Sequence, residues 1–238
     1  MHPQPESATD TDVIRDYAWQ GEDDPGRLDT ATVIFGPDRL QAHGTSRTDW
    51  YALSWVLETG DDWVTRRLAA TVHGHGWSRQ LELELSDDGA WSSRASASGS
   101  GASGGVRSEE GGLAVAAMPP PGIDNPDELR DALDCDLGLC PMTNTMPILR
   151  LNLLGQGMRG QGASEGETML TMAWVEVPSL RVFPSRQRYS SSLASVGTVR
   201  FSSESRDFTA ELTTDQHGVV TLYPGLARLL PLPHVKRG

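Results

Sequence analysis

Lysine is almost absent: of 20 basic residues in this 238-residue chain, only Lys236 is not an arginine. The basic residues are outnumbered by 32 acidic ones, leaving a formal net charge of −12. That balance argues against a surface built to neutralise phosphates, and so against a nucleic-acid partner. Cysteine occurs only at Cys135 and Cys140. Two thiols so close together make neither a disulfide framework nor a zinc site, and they read as buried free thiols. No run approaches the roughly 18 apolar residues of a membrane helix. The acidic start of the chain has no basic or apolar leader region, so the cytoplasm is the expected location.

Catalytic signatures are missing as well. No Gly-x-Ser-x-Gly is expected, and so no esterase elbow. No Gly-x-Gly-x-x-Gly follows a strand and opens a helix, and no phosphate loop ends in lysine. His73-Gly74-His75 offers two imidazoles in a Gly-rich turn but no third ligand, so no metal is expected. Asp134 and Asp136 share a strand face and, without a base or nucleophile beside them, read as a solvated pair. The expectation is no catalytic residue and no cofactor.

What is present is period-two patterning. Thr32 to Phe35, Trp63 to His73 and Leu81 to Leu85 alternate or run β-rich between turns such as Gly36-Pro37-Asp38 and Gly60-Asp61-Asp62. Leu40, Ala42 and Gly44 share one face. Trp50 to Glu58 is apolar on both faces and reads as a central strand. Further strands are expected at Cys135 to Leu139, Ile148 to Leu154, Met169 to Val177 and Leu180 to Phe183, the last stopped at Pro184. Thr198 to Ser203, Phe208 to Thr213 and Val219 to Tyr223 complete the set. One short helix should start at Asn125, with Pro126 in first position and Glu128 as capping acid, and run through Leu129 towards Leu133.

The expected fold is therefore mainly β: a strongly curved antiparallel sheet of about 10–11 strands forming an open, incomplete barrel, with one or two short helices. Residues 1–27 read as a flexible acidic tail, in which Val13, Ile14 and Tyr17 have the spacing of a short docking helix. Residues 28–230 form the domain and 231–238 a C-terminal tail. The Ser/Gly-rich stretches at 92–112 and 155–167 read as flexible loop insertions.

Two segments offer candidate binding groups. Thr143, Asn144 and Thr145 lie in a polar loop between Pro141 and Pro147, and any buried hydroxyl or amide there must find a partner. The loop is equally a structural turn that satisfies its own backbone. Arg186 and Arg188 project to one side of an extended chain and could grip an anionic head group, with Tyr189 on the opposite face. Pairing with surface acids such as Glu176 or Asp136 is the other reading.

These segments also carry a resemblance. Leu133-Asp134-Cys135-Asp136-Leu137-Gly138, Pro141 to Ile148 and Arg150-Leu151 are similar to the signature of the bacterial family described as putative glycolipid-binding. Trp174-Val175 to Val177-Pro178, Arg186 to Tyr189, Phe208 to Leu212 and Tyr223 to Leu226 continue the match in order, over roughly Ala31 to Leu229. The resemblance implies an open β-barrel like those of bacterial lipoprotein carriers, and a lipid or glycolipid ligand. It adds Arg150 to the candidate ligand-binding residues, and Met142, Met146, Met169 and Met172 as adaptable wall residues. The implied function is non-enzymatic binding of an amphiphile with its acyl part inside the barrel. The alternatives are an interaction or scaffold module with a filled barrel, and a hydrolase acting on a sugar or lipid ester.

Overall fold

A computed structural model describes residues 12–99, 103–107, 113–154, 166–192 and 197–231. The strands begin with β1 (Val13–Gly21), β2 (Leu28–Phe35), β3 (Leu40–Arg47), β4 (Tyr51–Thr59), β5 (Thr65–Gly74) and β6 (Trp77–Leu85). They continue with β7 (Trp91–Gly99), β8 (Ser103–Arg107), β9 (Leu113–Ala117), β10 (Gly122–Ile123), β11 (Asp134–Leu137) and β12 (Thr168–Val175). Last come β13 (Arg181–Ser191), β14 (Thr198–Ser203), β15 (Phe208–Thr214), β16 (Val220–Tyr223) and β17 (Ala227–Leu229).

Fourteen of these strands form a continuous path, running from β11 through β17, then β1 through to β7, and β10 adds onto β13. β8 and β9 make a separate hairpin. The path does not close: β11 and β7 are its edges. It has more strands than the ten or eleven expected, and it is mixed, because β11–β12 and β10–β13 are parallel pairs. The seam between the edges is bridged by loop contacts. Ile123 N donates to Ser93 Oγ at 3.1 Å, Trp91 Nε1 to the Ala132 carbonyl at 2.9 Å, and Thr65 N to the Leu133 carbonyl at 3.0 Å.

β2 to β6 follow the alternation read from sequence, with one face buried and one open. β4 is central, between β3 and β5, but only Tyr51, Leu53, Trp55 and Leu57 face the core, while Val56 is 42% exposed. Three expectations are corrected. The segment expected as a tail contains β1, pinned between β2 and β17, and its spacing is that of a strand rather than a docking helix. Tyr17 and Trp19 stack at 5.6 Å, and Trp19 Nε1 donates to the Val220 carbonyl at 2.8 Å. Two buried aromatics outweigh the acidic flanks. Much of the stretch expected as an insertion at 92–112 is also strand: residues 92–99 lie in β7, laddered to β6 along their whole length. Backbone pairing makes up there for side chains too small to pack. The insertion expected at 155–167 falls mostly outside the described residues, as does 231–238.

The third correction concerns the polar loop. Pro141–Asn144 is a 3-10 turn that runs straight into an α-helix, α1 (Thr145–Arg150), and Pro141 to Ile148 are all buried. Pro141 opens the turn and Pro147 lies in the first turn of α1, positions where the missing N–H costs least. Ile148 to Leu154, expected as a strand, is the end of this helix and the turns after it. The helix expected at Asn125 is a 3-10 turn, Pro126–Leu129, capped by Asn125 as anticipated. Pro184 does not end a strand, since β13 runs through it opposite Ala173.

Two apolar clusters result. The larger joins β1 to β6, Met142, Met146 and one face of β11–β13, which carries Cys135, Leu137, Ala173, Val175 and Val182. The smaller joins Ile148 and Leu153 to Tyr189, Phe201, Leu212 and Tyr223. Register fixes the rows of the larger one: Ala31, Gly44, Trp55, Ala70 and Leu81 stand opposite each other across five strands. The Trp55 ring lies over Gly44, where a Cβ would collide with both the indole and the Thr30 carbonyl. We therefore expect Gly44→Ala to destabilise the protein by about 1–3 kcal/mol through overpacking, measured by urea unfolding. Unchanged stability would show that Trp55 moves freely.

Candidate functional site

The face of β11–β13 opposite the larger cluster carries polar side chains that meet the helix. Asp136 Oδ1 accepts from Thr143 Oγ1 at 2.9 Å, and its Oδ2 accepts from Gln187 Nε2 at 2.6 Å. Tyr189 OH donates to Gln187 Oε1 at 2.9 Å and accepts from Asn144 Nδ2 at 2.8 Å. Next to this chain, Arg150 grips Asp134 with both terminal nitrogens, one at 2.6 Å. Asp134 and Asp136 are therefore buried, against the expectation of a solvated pair, because β11 is covered on both faces. Burial pushes the Asp134 carboxyl up against the opposing pull of Arg150. Burial works against the Arg150 charge too, but Asp134 outweighs it and holds the guanidinium above its usual value. Burial also raises the Tyr189 phenol, with Asp136 adding to the effect.

Of the residues singled out from sequence, the structure brings Thr143, Asn144, Arg150 and Tyr189 into this network. The Thr145 hydroxyl is buried close by in the chain without a hydrogen bond. Arg186 and Arg188 lie elsewhere, on the outer side of β13. Arg188 binds Glu204 at 2.6 Å and Glu167 at 3.0 Å, and Arg186 stands 3.4 Å from Glu204. The partners are these two acids rather than Glu176 or Asp136. Among the methionines, Met142, Met146 and Met172 are fully buried, while Met169 is half-buried opposite Arg188.

Sequence reading missed the loop that follows β11. Gly138, Leu139 and Cys140 stand between two small cavities of about 10 Å³ each, room for roughly one water. One is lined by Asp136, Asn144, Trp174, Tyr223 and Leu226. The other is lined by Trp19, Asp29, Thr45, Ser46, Leu53 and Trp55. The loop is a tight turn: Cys140 N donates to the Leu137 carbonyl at 3.1 Å, and Leu139 has φ 65°. A leucine in the left-handed region is an uncommon, strained placement. Asp29 is itself an inward-facing carboxylate, bonded to Arg27 Nε at 3.0 Å, and Arg27 is only 1% exposed. A buried Asp and Arg in otherwise apolar alternation was the available signal, masked by the expectation of a tail up to Arg27.

A larger hollow of about 430 Å³ lies on the outer face of β5–β7, lined by Arg67, Gln80, Glu82, Arg94 and Ser96. It is open to solvent, and its charges already neutralise one another, with Arg67 and Arg94 both on Glu82 at 2.9 Å. Burial raises the Cys135 thiol, and it pushes the Cys140 thiol up to about 12, so both stay protonated and unreactive. His73 and His75 are exposed, and the described residues hold no group of His, Cys, Asp or Glu fit to bind a metal. Gly101-Ala102-Ser103-Gly104-Gly105 and Gly162-Ala163-Ser164-Glu165-Gly166 do match an esterase-type pattern. The first leads into β8 rather than a helix, and the second falls outside the described residues except for Gly166. No described helix is long and apolar enough to cross a membrane.

Two expectations follow from the network. Asn144→Leu removes the buried donor to the Tyr189 hydroxyl, which keeps only its bond to Gln187, and should cost about 1–3 kcal/mol in urea unfolding; no loss would mean that Tyr189 finds another donor. Arg150→Met leaves Asp134 buried without its partner and should cost about 3–5 kcal/mol at pH 7. With only burial acting on it, Asp134 in the folded variant titrates above its unfolded value of about 3.9. The folded variant then takes up the extra proton first, so its deficit should shrink as pH falls from 7 to 4. A deficit independent of pH would assign the loss to packing alone.

Comparison with known proteins agrees with this architecture. A crystal structure of a DUF1089 family protein from Pseudomonas aeruginosa superposes with a TM-score of 0.58 at 22% identity, covering 85% of this chain and 92% of that one. That likeness concerns the fold. No curated protein matches the chain. A family model described as "Putative glycolipid-binding" matches residues 16–229, from within β1 to the end of β17, and the chain belongs to that family.

Proposed function

We propose that this protein binds a glycolipid-class amphiphile without transforming it, and that the head group is taken up around Gly138–Cys140. The observation that carries this reading is the convergence of Trp19, Trp55, Trp174 and Tyr223 with Asp29, Asp136 and Asn144 on one three-residue loop. Sugars suit such a mixture: their C–H faces lie against aromatic rings, while their hydroxyls pair with carboxylates and amides. The family's description supports the ligand class. The protonated thiols fit binding better than catalysis.

Because each cavity holds about one water, uptake needs Leu139 and Cys140 to move aside, joining the two spaces. The strained φ of Leu139 favours its displacement, while Cys140 is tied through its N–H to the Leu137 carbonyl and through its own carbonyl to Thr143. The half-buried Leu139 and Leu226 would then meet the first carbons of the acyl chain.

Calorimetric titration of the full chain with monomeric octyl glucoside, and with octanoate as a chain-matched control, tests this. Saturable binding of the glucoside, weaker by about tenfold or more in Trp174→Leu, is expected. An interaction module with a filled barrel predicts no saturable response to either probe, and that result would overturn the reading.

A further inference from the structure

The cavity on the β1–β4 side has an unusual wall. Trp19, Asp29, Ser46 and Leu53 stand directly opposite one another across four strands, all on the buried face. In a row that is otherwise core, an acid and a serine need partners. Asp29 has Arg27, but Arg27 is also committed to Asp23 at 2.7 Å and to the Leu226 carbonyl. The Ser46 hydroxyl, in a residue 6% exposed, forms no well-aligned hydrogen bond, and neither does the hydroxyl of Tyr51, which is 9% exposed. Burial raises the Asp29 carboxyl and pushes the Tyr51 phenol up to about 12, and the Ser46 hydroxyl, within reach of both, opposes this. The Asp29 carboxylate and the Ser46 hydroxyl thus line a space of about 10 Å³, and the Tyr51 hydroxyl lies behind Ser46.

We infer that this cavity is a recognition subsite for an uncharged hydroxyl of the ligand's head group, held by Asp29 and Ser46, and that it selects neutral sugars over anionic head groups. The inference rests on the head-group reading above and specifies its ligand. A hydroxyl both donates and accepts, so it can give its proton to Asp29 and accept from Ser46. An anion has no proton to give Asp29, and it meets a cluster of Asp23, Arg27 and Asp29 whose formal charge is already negative. A cation would find the Asp29 charge answered by Arg27. In the free protein the same space suits one water in the same role.

The Ser46 hydroxyl makes no well-aligned bond in the free protein, so its removal separates recognition from folding. Ser46→Ala should keep the wild-type melting temperature or raise it, because a buried polar atom without a well-aligned partner is lost. The same variant should weaken octyl glucoside binding about fivefold or more in the same titration. Octyl sulfate should bind wild type at least tenfold more weakly than the glucoside. Wild type that binds the glucoside while Ser46→Ala binds it equally well would overturn this inference and leave the head-group reading standing. Preference for octyl sulfate would do the same. Wild type that binds no glucoside would overturn both.

Discussion

A single sheet this wide cannot cover its own concave face, and the rest of the structure answers that constraint. The filling is the ten-residue helical segment from Pro141 to Arg150, which divides the interior into two apolar clusters. A buried helix brings polar side chains and an extra backbone with it, and these are stable inside only if partnered. β11 supplies the partners. Asp136 receives Thr143 and Gln187, and Asp134 receives Arg150. β11, paired parallel to β12, places both carboxylates on the face towards the helix while Cys135 and Leu137 fill the larger cluster.

The candidate site grows out of this arrangement. The chain must turn sharply to pass from β11 into the helical segment, and it does so at Gly138–Cys140. Gly138 sits against the Val175 carbonyl and the Trp174 ring, leaving little room for a side chain there. The turn is wedged between the row of β1–β4 that contains Asp29 and Ser46 and the β12–β16 side that contains Trp174 and Tyr223. Groups far apart in sequence therefore share one small region. It is also where side-chain packing is incomplete, with two water-sized spaces and hydroxyls that lack partners. Local looseness of this kind in an otherwise packed interior is what a binding region requires.

The helical segment was legible in principle. Met142, Met146, Leu149 and Leu153 recur at helical spacing, but Pro141 and Pro147 at either end of a Thr-Asn-Thr triplet suggest a loop when read locally. Prolines in the first turn of a helix give the same signal as prolines in a turn. β1 was obscured in a comparable way: Tyr17 and Trp19 sit among acids and prolines whose composition favours disorder, and only pairing with β2 and β17 makes a strand worthwhile. β7 shows the opposite limit, since nothing in Ser92 to Gly99 except its ladder to β6 specifies extended structure.

Period-two alternation along residues 31–85, turn residues and the scarcity of long apolar runs determined by themselves that the chain is a curved, mainly β protein. The order of motifs from Leu133 to Leu226 tied it to its family. Local pattern suffices for these because each strand's faces are set by neighbouring residues. Only the tertiary structure decided that Asp134 and Asp136 are buried, that Tyr189 and Asn144 bond to each other, that Arg186 and Arg188 lie outside, and that Asp29 and Ser46 border a cavity. Those facts depend on which strand lies opposite which, and on both faces of β11–β13 being covered. They are set by long-range register, which no stretch of sequence encodes on its own.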